Sequence, residues 1–295
     1  MKVFVAGATG AIGQPLIAEL IAEGHIVTGM THSEAGARRL RAAGVDVAIA
    51  DALNGDAVEG VLRASHAEVV IDELTAIPRT PSELSAHAHV DQKLRIEGGN
   101  NLHRAALACG VRRYIQQSSG FFLDAKEALA DESSPLALNA SPGIAKYAQM
   151  YAYVEQRALE SSIEGIVLRY GFFYGPNTWY NPDGGAADEI RKQLFPVIEG
   201  GKAKWSFVHI EDAARATVAA LTAQPGKYVV VDDDTSPVSV WLPRFASFVG
   251  APPPPLITAD QVLQTAGEDA VYYQTKLCGA SNVKEKRELH FAPRK

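Results

Sequence analysis

The stretch VFVAGATGAIG, residues 3–13, limits what the chain can fold into more than any other feature. An apolar, strand-like run passes into glycines at 7, 10 and 13, and a helical pattern, PLIAELIAEG, follows at 15–24. Three glycines where a strand hands over to a helix let the backbone turn sharply and approach a ligand closely. The opening amides of the helix point at the same spot and favour an anion. Glycines at this spacing also describe an empty turn. Their position inside a β–α–β unit makes a dinucleotide pyrophosphate the stronger reading.

The alternation continues down the chain. Residues 25–30, 45–50, 68–74, 112–119 and 165–170 read as further strands, separated by helical patterns at 34–44, about 83–109 and around Tyr147. Such an order gives a parallel sheet covered on both faces, the doubly wound α/β class. Beyond residue 170 the pattern loosens into an aromatic, Pro/Gly-rich loop at 174–185, a helix expected at about 186–199, and a strand and helix over 205–223. Residues 1–170, with 205–223 returning to them, are expected to form the Rossmann domain. Residues 171–204 and 224–295 are expected to form a smaller, discontinuous substrate-binding region. The run APPPP at 251–255 reads as a stiff connector into the next strand, and Asp232–Asp234 as an acidic turn.

A net charge of −6 over 295 residues argues against a nucleic-acid or anionic-membrane surface. No apolar run approaches the roughly 20 residues a bilayer crossing needs. The first apolar run is broken at Gly7, too soon for a secretory signal, and two cysteines at 109 and 278 follow no ligand spacing. The expectation is a soluble cytoplasmic protein. His87 and His89 point about 200° apart on a helix and cannot share a metal; no metal site is expected.

The spacing GxxGxxG resembles the phosphate loop of the short-chain dehydrogenase/reductase superfamily, in the extended type that includes NAD-dependent epimerases and dehydratases. Five further segments are similar in the same order: DAL (51–53), QSS (117–119), LRYGFFYGP (168–176), FVHIEDAA (207–214) and SNVKEKREL (281–289). The resemblance implies a nicotinamide dinucleotide held by Gly7, Thr9, Gly10, Ala11, Ile12 and Gly13, and by Asp51 and Ala52 after the third strand. Leu74, Thr75 and Ala76 after the fourth strand, and Tyr170 after the sixth, complete that set. Thr31, His32 and Ser33 end the second strand, where an NAD-selective site carries a carboxylate for the ribose hydroxyls. Hydroxyls and a histidine there, with Arg38 or Arg39 a turn on, accommodate a 2′-phosphate. NADP is therefore expected, with NAD, through Glu34, as the alternative.

The same resemblance puts a catalytic tyrosine at Tyr147 and a lysine four residues on, where this chain has Tyr151. Glu155 stands fourteen residues before Arg169, the family's spacing, so the alignment needs no gap. Ser119 takes the place of the catalytic hydroxyl, with Ser118 second. A lysine there would hold the nicotinamide ribose and lower the tyrosine pKa; a phenol brings no charge. Three outcomes stay open. Tyr147 donates a proton during carbonyl reduction as a neutral phenol, or another cation substitutes (Lys146 or Lys126), or the site binds dinucleotide without turnover, as a regulator. Without the family frame, Tyr147 and Tyr151 read as two aromatics packing a helix. On the carbonyl reading, Tyr151→Lys is expected to raise alcohol oxidation.

Phe121, Phe122, Phe173, Trp179 and Tyr180 are candidate lining groups, with Ser118, Phe121, Phe173 and Trp179 assigned to substrate. They suit a flat carbonyl compound at least as well as a nucleotide sugar, whose diphosphate would need Arg191, Lys192, Lys202 or Lys204. The functional expectation is an NAD(P)-dependent oxidoreductase of atypical type. A nucleotide-sugar epimerase or dehydratase is the alternative, and a homodimer through the 83–109 and Tyr147 helices is what the family implies.

Overall fold

The computed structural model describes residues 1–125 and 128–294. Seven parallel strands form the central sheet in the order β3-β2-β1-β4-β5-β6-β10. They are β1 (Lys2–Ala6), β2 (Ile26–Thr31), β3 (Asp46–Ile49), β4 (Val69–Asp72), β5 (Arg113–Ser119), β6 (Glu164–Tyr170) and β10 (Gly226–Val230). Short strands β7 (Phe172–Tyr174) and β9 (Phe207–His209) pair with each other, as do β8 (Val197–Ile198) and β11 (Leu256–Ile257). Val3 to Ala6 of β1 are buried throughout, because helices cover both faces of a parallel sheet.

Helices α1 (Gly13–Ala22) and α2 (Glu34–Ala42) pack on one face with α8 (Ile210–Ala219). Helices α3 (Gly55–Ser65), α5 (Gly99–Ala108) and α6 (Pro142–Leu159) pack on the other. Leu16, Ile17 and Leu20 on one side, and Val58, Leu62 and Leu102 on the other, form the two apolar layers. The expected helix at 83–109 is present with an interruption. Helix α4 (Leu84–Lys93) runs into one turn of wider π-helical pitch at Leu94–Gly98, and α5 follows directly. Such turns hold an extra residue and are frequent at functional sites.

The expected helix at 186–199 is shorter: α7 spans Gly185–Arg191, and the chain then turns at Gln193, φ 60°, ahead of Pro196 and β8. Three helices, α9 (Val238–Phe248), α10 (Ala259–Thr265) and α11 (Gly267–Thr275), complete the smaller region. Its core gathers Tyr180, Trp205, Val238, Leu242 and Leu277. The expected division of the chain needs one change. Residues 226–230 join the main sheet beside β6, α12 (Val283–Glu288) packs on that strand, and Leu289 and Phe291 enter the large core. The connector 251–255 does lead into β11, as the prolines suggested. No helix among the described residues is long and apolar enough to cross a membrane.

Candidate active site

The phosphate loop has the shape its glycines dictate. Gly7 sits at φ +81°, and a Cβ there would lie 2.2 Å from the Glu73 carbonyl oxygen. A Cβ on Gly13 would lie 2.5 Å from the Gly7 carbonyl oxygen, so α1 could not approach the loop so closely. Gly10 is different: exposed, with its amide donating to the Gly7 carbonyl at 2.9 Å, it would set a Cβ against nothing tighter than that oxygen at 3.2 Å. Helix α1 carries no capping side chain and no acidic residue in its first turn. Its amino end is an uncapped, positively polarised mouth beside a bare glycine, and this fits a pyrophosphate. Thr9 and Ala11 are half-buried around it, and Ile12 is buried beneath.

At the end of β2, Thr31 is buried against Gly36, His32 is exposed, and Ser33 caps α2 by accepting the Gly36 amide at 3.1 Å. Glu34 is exposed and faces Arg41 at 3.7 Å, while Arg38 and Arg39 stand exposed on α2. Asp51 accepts the Leu53 amide at 2.9 Å, and the Ala52 carbonyl accepts from Asn101 at 2.9 Å. Leu74 is buried; Thr75 and Ala76 are half-buried, and Ala76 donates its amide to Asp91 at 2.7 Å. Tyr170 does not join this surface. It is 2% exposed, its hydroxyl bonded to Thr217 at 2.6 Å and to Glu73 at 3.1 Å, and it supports the crevice from behind.

Strand alternation separates the two serines. Ser118 donates to Glu155 at 2.7 Å, and Glu155 is clamped by Arg169 through two contacts of 2.8 Å, with Lys227 at 3.3 Å. Burial pushes the Glu155 carboxyl up, but the Arg169 hydrogen bonds and charge outweigh it and hold the group low. Ser118 is thus fixed into a buried ionic knot and is not available to substrate. Ser119, 2% exposed, points the other way and accepts only a long 3.4 Å contact from the Phe121 amide. The same parity corrects Phe173, which packs inward at 5.2 Å from Tyr170. Phe172 takes the outward place, stacked between Phe121 at 3.9 Å and Trp205 at 4.2 Å. Trp179 spends its indole N–H on the Pro78 carbonyl at 2.9 Å.

Tyr147 and Tyr151 lie on the buried face of α6 in one cluster with Phe122, whose ring stacks on Tyr147 at 5.8 Å. The Tyr147 hydroxyl is buried without a hydrogen-bond partner among the described residues. Burial pushes its pKa well above the usual phenol value, the Asp91 charge adds to that, and Arg95 offsets part of it. The Tyr151 phenol is raised for the same first reason. Of the two lysines considered as substitutes, Lys146 is exposed on α6 and Lys126 lies outside the described residues.

Two residues that sequence reasoning passed over belong to this cluster. Arg95, on the π turn, is 7% exposed and carries its guanidinium carbon 5.4 Å from the centre of the Tyr151 ring. Glu73, directly after β4, is 3% exposed with one carboxyl oxygen unpartnered among the described residues. Burial pushes it up to about 8, with the Tyr170 hydrogen bond opposing. Nothing in LRIEGG or DELT marks either as inward-facing; the widened turn sets Arg95's direction.

A separate cavity of about 460 Å³ opens at the ends of β7, β9 and β10. Tyr174, Tyr180, Trp205, Phe207, Trp241 and Phe245 wall it, with Asp232 and Asp234, and none of the described lining residues is lysine or arginine. The aromatic layer of Phe172 and Trp205 lies between it and the Tyr147 side. His209, also on its wall, caps α8 by accepting the Glu211 amide at 3.3 Å.

A model of the NAD dependent epimerase/dehydratase family matches residues 3–231. The chain belongs to the NAD dependent epimerase/dehydratase family. As a member it is an enzyme of the NAD-dependent oxidoreductase or epimerase kind. It is 37% identical over 297 residues to a 3-diazoavenalumate denitrifying reductase from a Streptomyces species, covering 99% of this chain and 96% of that one. It is 25% identical over 246 residues to a 4-hydroxy-2-methyl-3-oxo-4-farnesyl-3,4-dihydroquinoline-1-oxide ketoreductase of Stigmatella aurantiaca, covering 81% and 70% respectively. Its fold superposes on the UDP-glucose 4-epimerase of Thermus thermophilus in complex with NAD. The TM-score is 0.75 with 23% identity, covering all of this chain and 94% of that one.

Proposed function

We propose that the protein is an NADPH-dependent reductase of planar aromatic electrophiles, and that its substrate carries a diazo group on the ring. The observation that carries this reading is the state of Tyr147. Its hydroxyl is buried and unpartnered, a weaker acid than an ordinary phenol, with a second phenol where an ammonium would stand. A carbonyl acceptor turns into an alkoxide on receiving hydride and needs a proton from a competent acid. A diazonium acceptor makes no alkoxide. Bound NADPH supplies the hydride. Hydride adds to the terminal nitrogen of Ar–N≡N⁺ to give the neutral diazene Ar–N=N–H. The ring–nitrogen bond then breaks, the N–H proton passes to the ring carbon, and arene and N₂ leave. The reductase at 37% identity bears a name of this kind.

The chain's own residues then bind and exclude water. Gly7, Gly10, Gly13 and the amides of α1 seat the pyrophosphate. His32, with Arg38 or Arg39, takes the 2′-phosphate, which favours NADP. Tyr151 hydrogen-bonds the nicotinamide ribose, Ser119 and Tyr147 orient the substrate, and Phe121, backed by the stacked Phe172, walls its ring. Around Tyr147 the packed neighbours are aromatic, Phe121 and Phe122 with Tyr151, and this suits a flat substrate. Lys192, Lys202 and Lys204 are exposed, and Arg191 bonds the Val249 carbonyl at 3.2 Å. Carbonyl reduction is the second reading; Tyr147 still carries a proton at neutral pH, and the relative at 25% identity is named a ketoreductase. Val90, Leu107 and Tyr153, each a little over 40% exposed on α4, α5 and α6, are where a homodimer would close.

The test is NADPH consumption, above the protein-free rate, with an arenediazonium bearing a cinnamate side chain, an aromatic ketone and UDP-glucose. Stoichiometric N₂ release with the first supports the proposal. Turnover of the ketone alone supports the second reading, and turnover of the sugar nucleotide alone makes the protein an epimerase-type enzyme. Binding of NADPH with no turnover of any of them points to a regulator. Dissociation constants for NADPH and NADH decide the cofactor.

A further inference from the structure

Arg95 joins four parts of the crevice. Its Nε donates to Asp91 at 2.8 Å and its Nη1 to Gln117 at 2.9 Å, while its guanidinium carbon stands 5.4 Å from the Tyr151 ring centre. Asp91 in turn receives the Ala76 amide at 2.7 Å, which ties the pair to the loop after β4. Gln117 lies two residues before Ser119 on β5, and so on the same face of the strand. The arginine is 7% exposed and Asp91 fully buried. A buried ion pair is a poor source of stability compared with apolar packing, so a purely architectural role does not explain why the pair stands beside both tyrosines.

We propose that Arg95 replaces the lysine missing from α6. The site's positive charge is delivered from the π turn of the neighbouring helix, and Arg95 is a positioning residue that holds Tyr151 where it meets the dinucleotide. The proposal rests on the crevice being a dinucleotide site and not on the substrate's identity. Guanidinium over a phenol face is an attractive arrangement when water is excluded. It also makes the two solutions mutually exclusive. An ammonium at position 151 would sit against the Arg95 guanidinium in a dry site, where like charges repel strongly. Tyr151→Lys alone therefore damages the site instead of restoring alcohol oxidation, unless Arg95 is removed with it and the new ammonium takes over Asp91.

The experiment is a double-mutant cycle on Arg95→Gln and Tyr151→Lys, read by melting temperature and by the NADPH dissociation constant from fluorescence titration. Each single variant is expected to weaken NADPH at least tenfold and to lower the melting temperature by roughly 4 °C or more. The double variant should recover binding to within about threefold of wild type and regain most of the lost temperature. Arg95→Lys keeps the charge but not the fork that reaches Asp91 and Gln117 together, so it should weaken NADPH clearly less than Arg95→Gln without matching wild type. Losses that add up in the double variant, or an Arg95→Lys protein as impaired as Arg95→Gln, would overturn the proposal. A wild-type protein that binds neither dinucleotide sinks this proposal and the reading beneath it together. A wild type that binds NADPH but reduces no diazoarene leaves the cycle fully readable.

Discussion

Arg169 grips Glu155 through two 2.8 Å contacts, and Ser118 completes the knot at 2.7 Å from the same carboxylate. This joins the end of β6 to the last third of α6 and fixes how far the Tyr147 helix can slide along the sheet. The arrangement divides the adjacent serines into one that supports and one that faces the crevice. Ser118→Ala should cost about 1 kcal/mol of stability and little turnover, since it removes one hydrogen bond to a charged group. Ser119→Ala should leave the melting curve unchanged and reduce turnover. Glu155→Ala, which strands a buried arginine, should cost about 3–5 kcal/mol. Denaturant unfolding and steady-state kinetics on the three variants check the division; equal kinetic losses for both serines contradict it.

Two glycines of the phosphate loop make separable predictions. Gly13→Ala places a methyl 2.5 Å from the Gly7 carbonyl and should lower the melting temperature as α1 is pushed away. Gly10→Ala meets nothing tighter than 3.2 Å, so the fold should tolerate it. Its methyl would nevertheless stand where the pyrophosphate must approach, and NADPH binding should weaken by about tenfold or more. Calorimetry beside thermal denaturation separates the two effects, and unimpaired NADPH binding by Gly10→Ala would show that the loop serves no phosphate.

Glu73 predicts a slope in stability with pH. Its carboxyl is pushed up to about 8 in the folded protein, first by burial, while an unfolded glutamate titrates near 4.5. The folded state therefore holds the proton that the unfolded state has released. Stability falls as pH rises from about 4.5 to about 8 and levels off above it, with a ceiling of about 5 kcal/mol for this one group. Glu73→Gln keeps the hydrogen-bonding shape without the charge and should flatten that slope. Unfolding free energies at pH 5, 7 and 9 for both proteins give the answer; parallel curves refute the assignment.

Tyr147 should not govern the pH dependence of the reaction. Because burial lifts its pKa, it stays protonated through the whole working range, and kcat should show no phenol titration below about pH 10. With a diazoarene, Tyr147→Phe is expected to lose less than about tenfold in kcat, and with an aromatic ketone about a hundredfold or more. A collapse of both activities in Tyr147→Phe would falsify the proton-free route.

Local features carried most of what the sequence disclosed. The phosphate loop and the succession of the first six strands follow from patterns within a few turns, and the register of α6 against Arg169 from the family resemblance. The errors have equally local causes. FFY, three bulky residues in a three-residue strand, shows no alternation, so Phe172 and Phe173 could not be told apart until β7 paired with β9. The shortened α7 did carry a signal, since Pro196 lies inside the span expected to be helical. Arg95 carried none. A charged residue in a helical run reads as solvated, and only the extra residue of the π turn brings it inward.

That extra residue loosens the bond between the two halves of a 25-residue helical rod. In an unbroken α-helix each added position rotates everything beyond it by about 100°, so the face α5 offers the sheet would dictate the face α4 offers the crevice. With the ladder reset at Leu94–Gly98, Leu102 and Ala105 stay moored in the core while the upstream portion keeps its own azimuth. Drift in α4 can therefore retune the surroundings of Tyr151 without disturbing the keel. Deleting a single residue from the bulge should swing Arg95 out to the water and leave the rest of the hull intact.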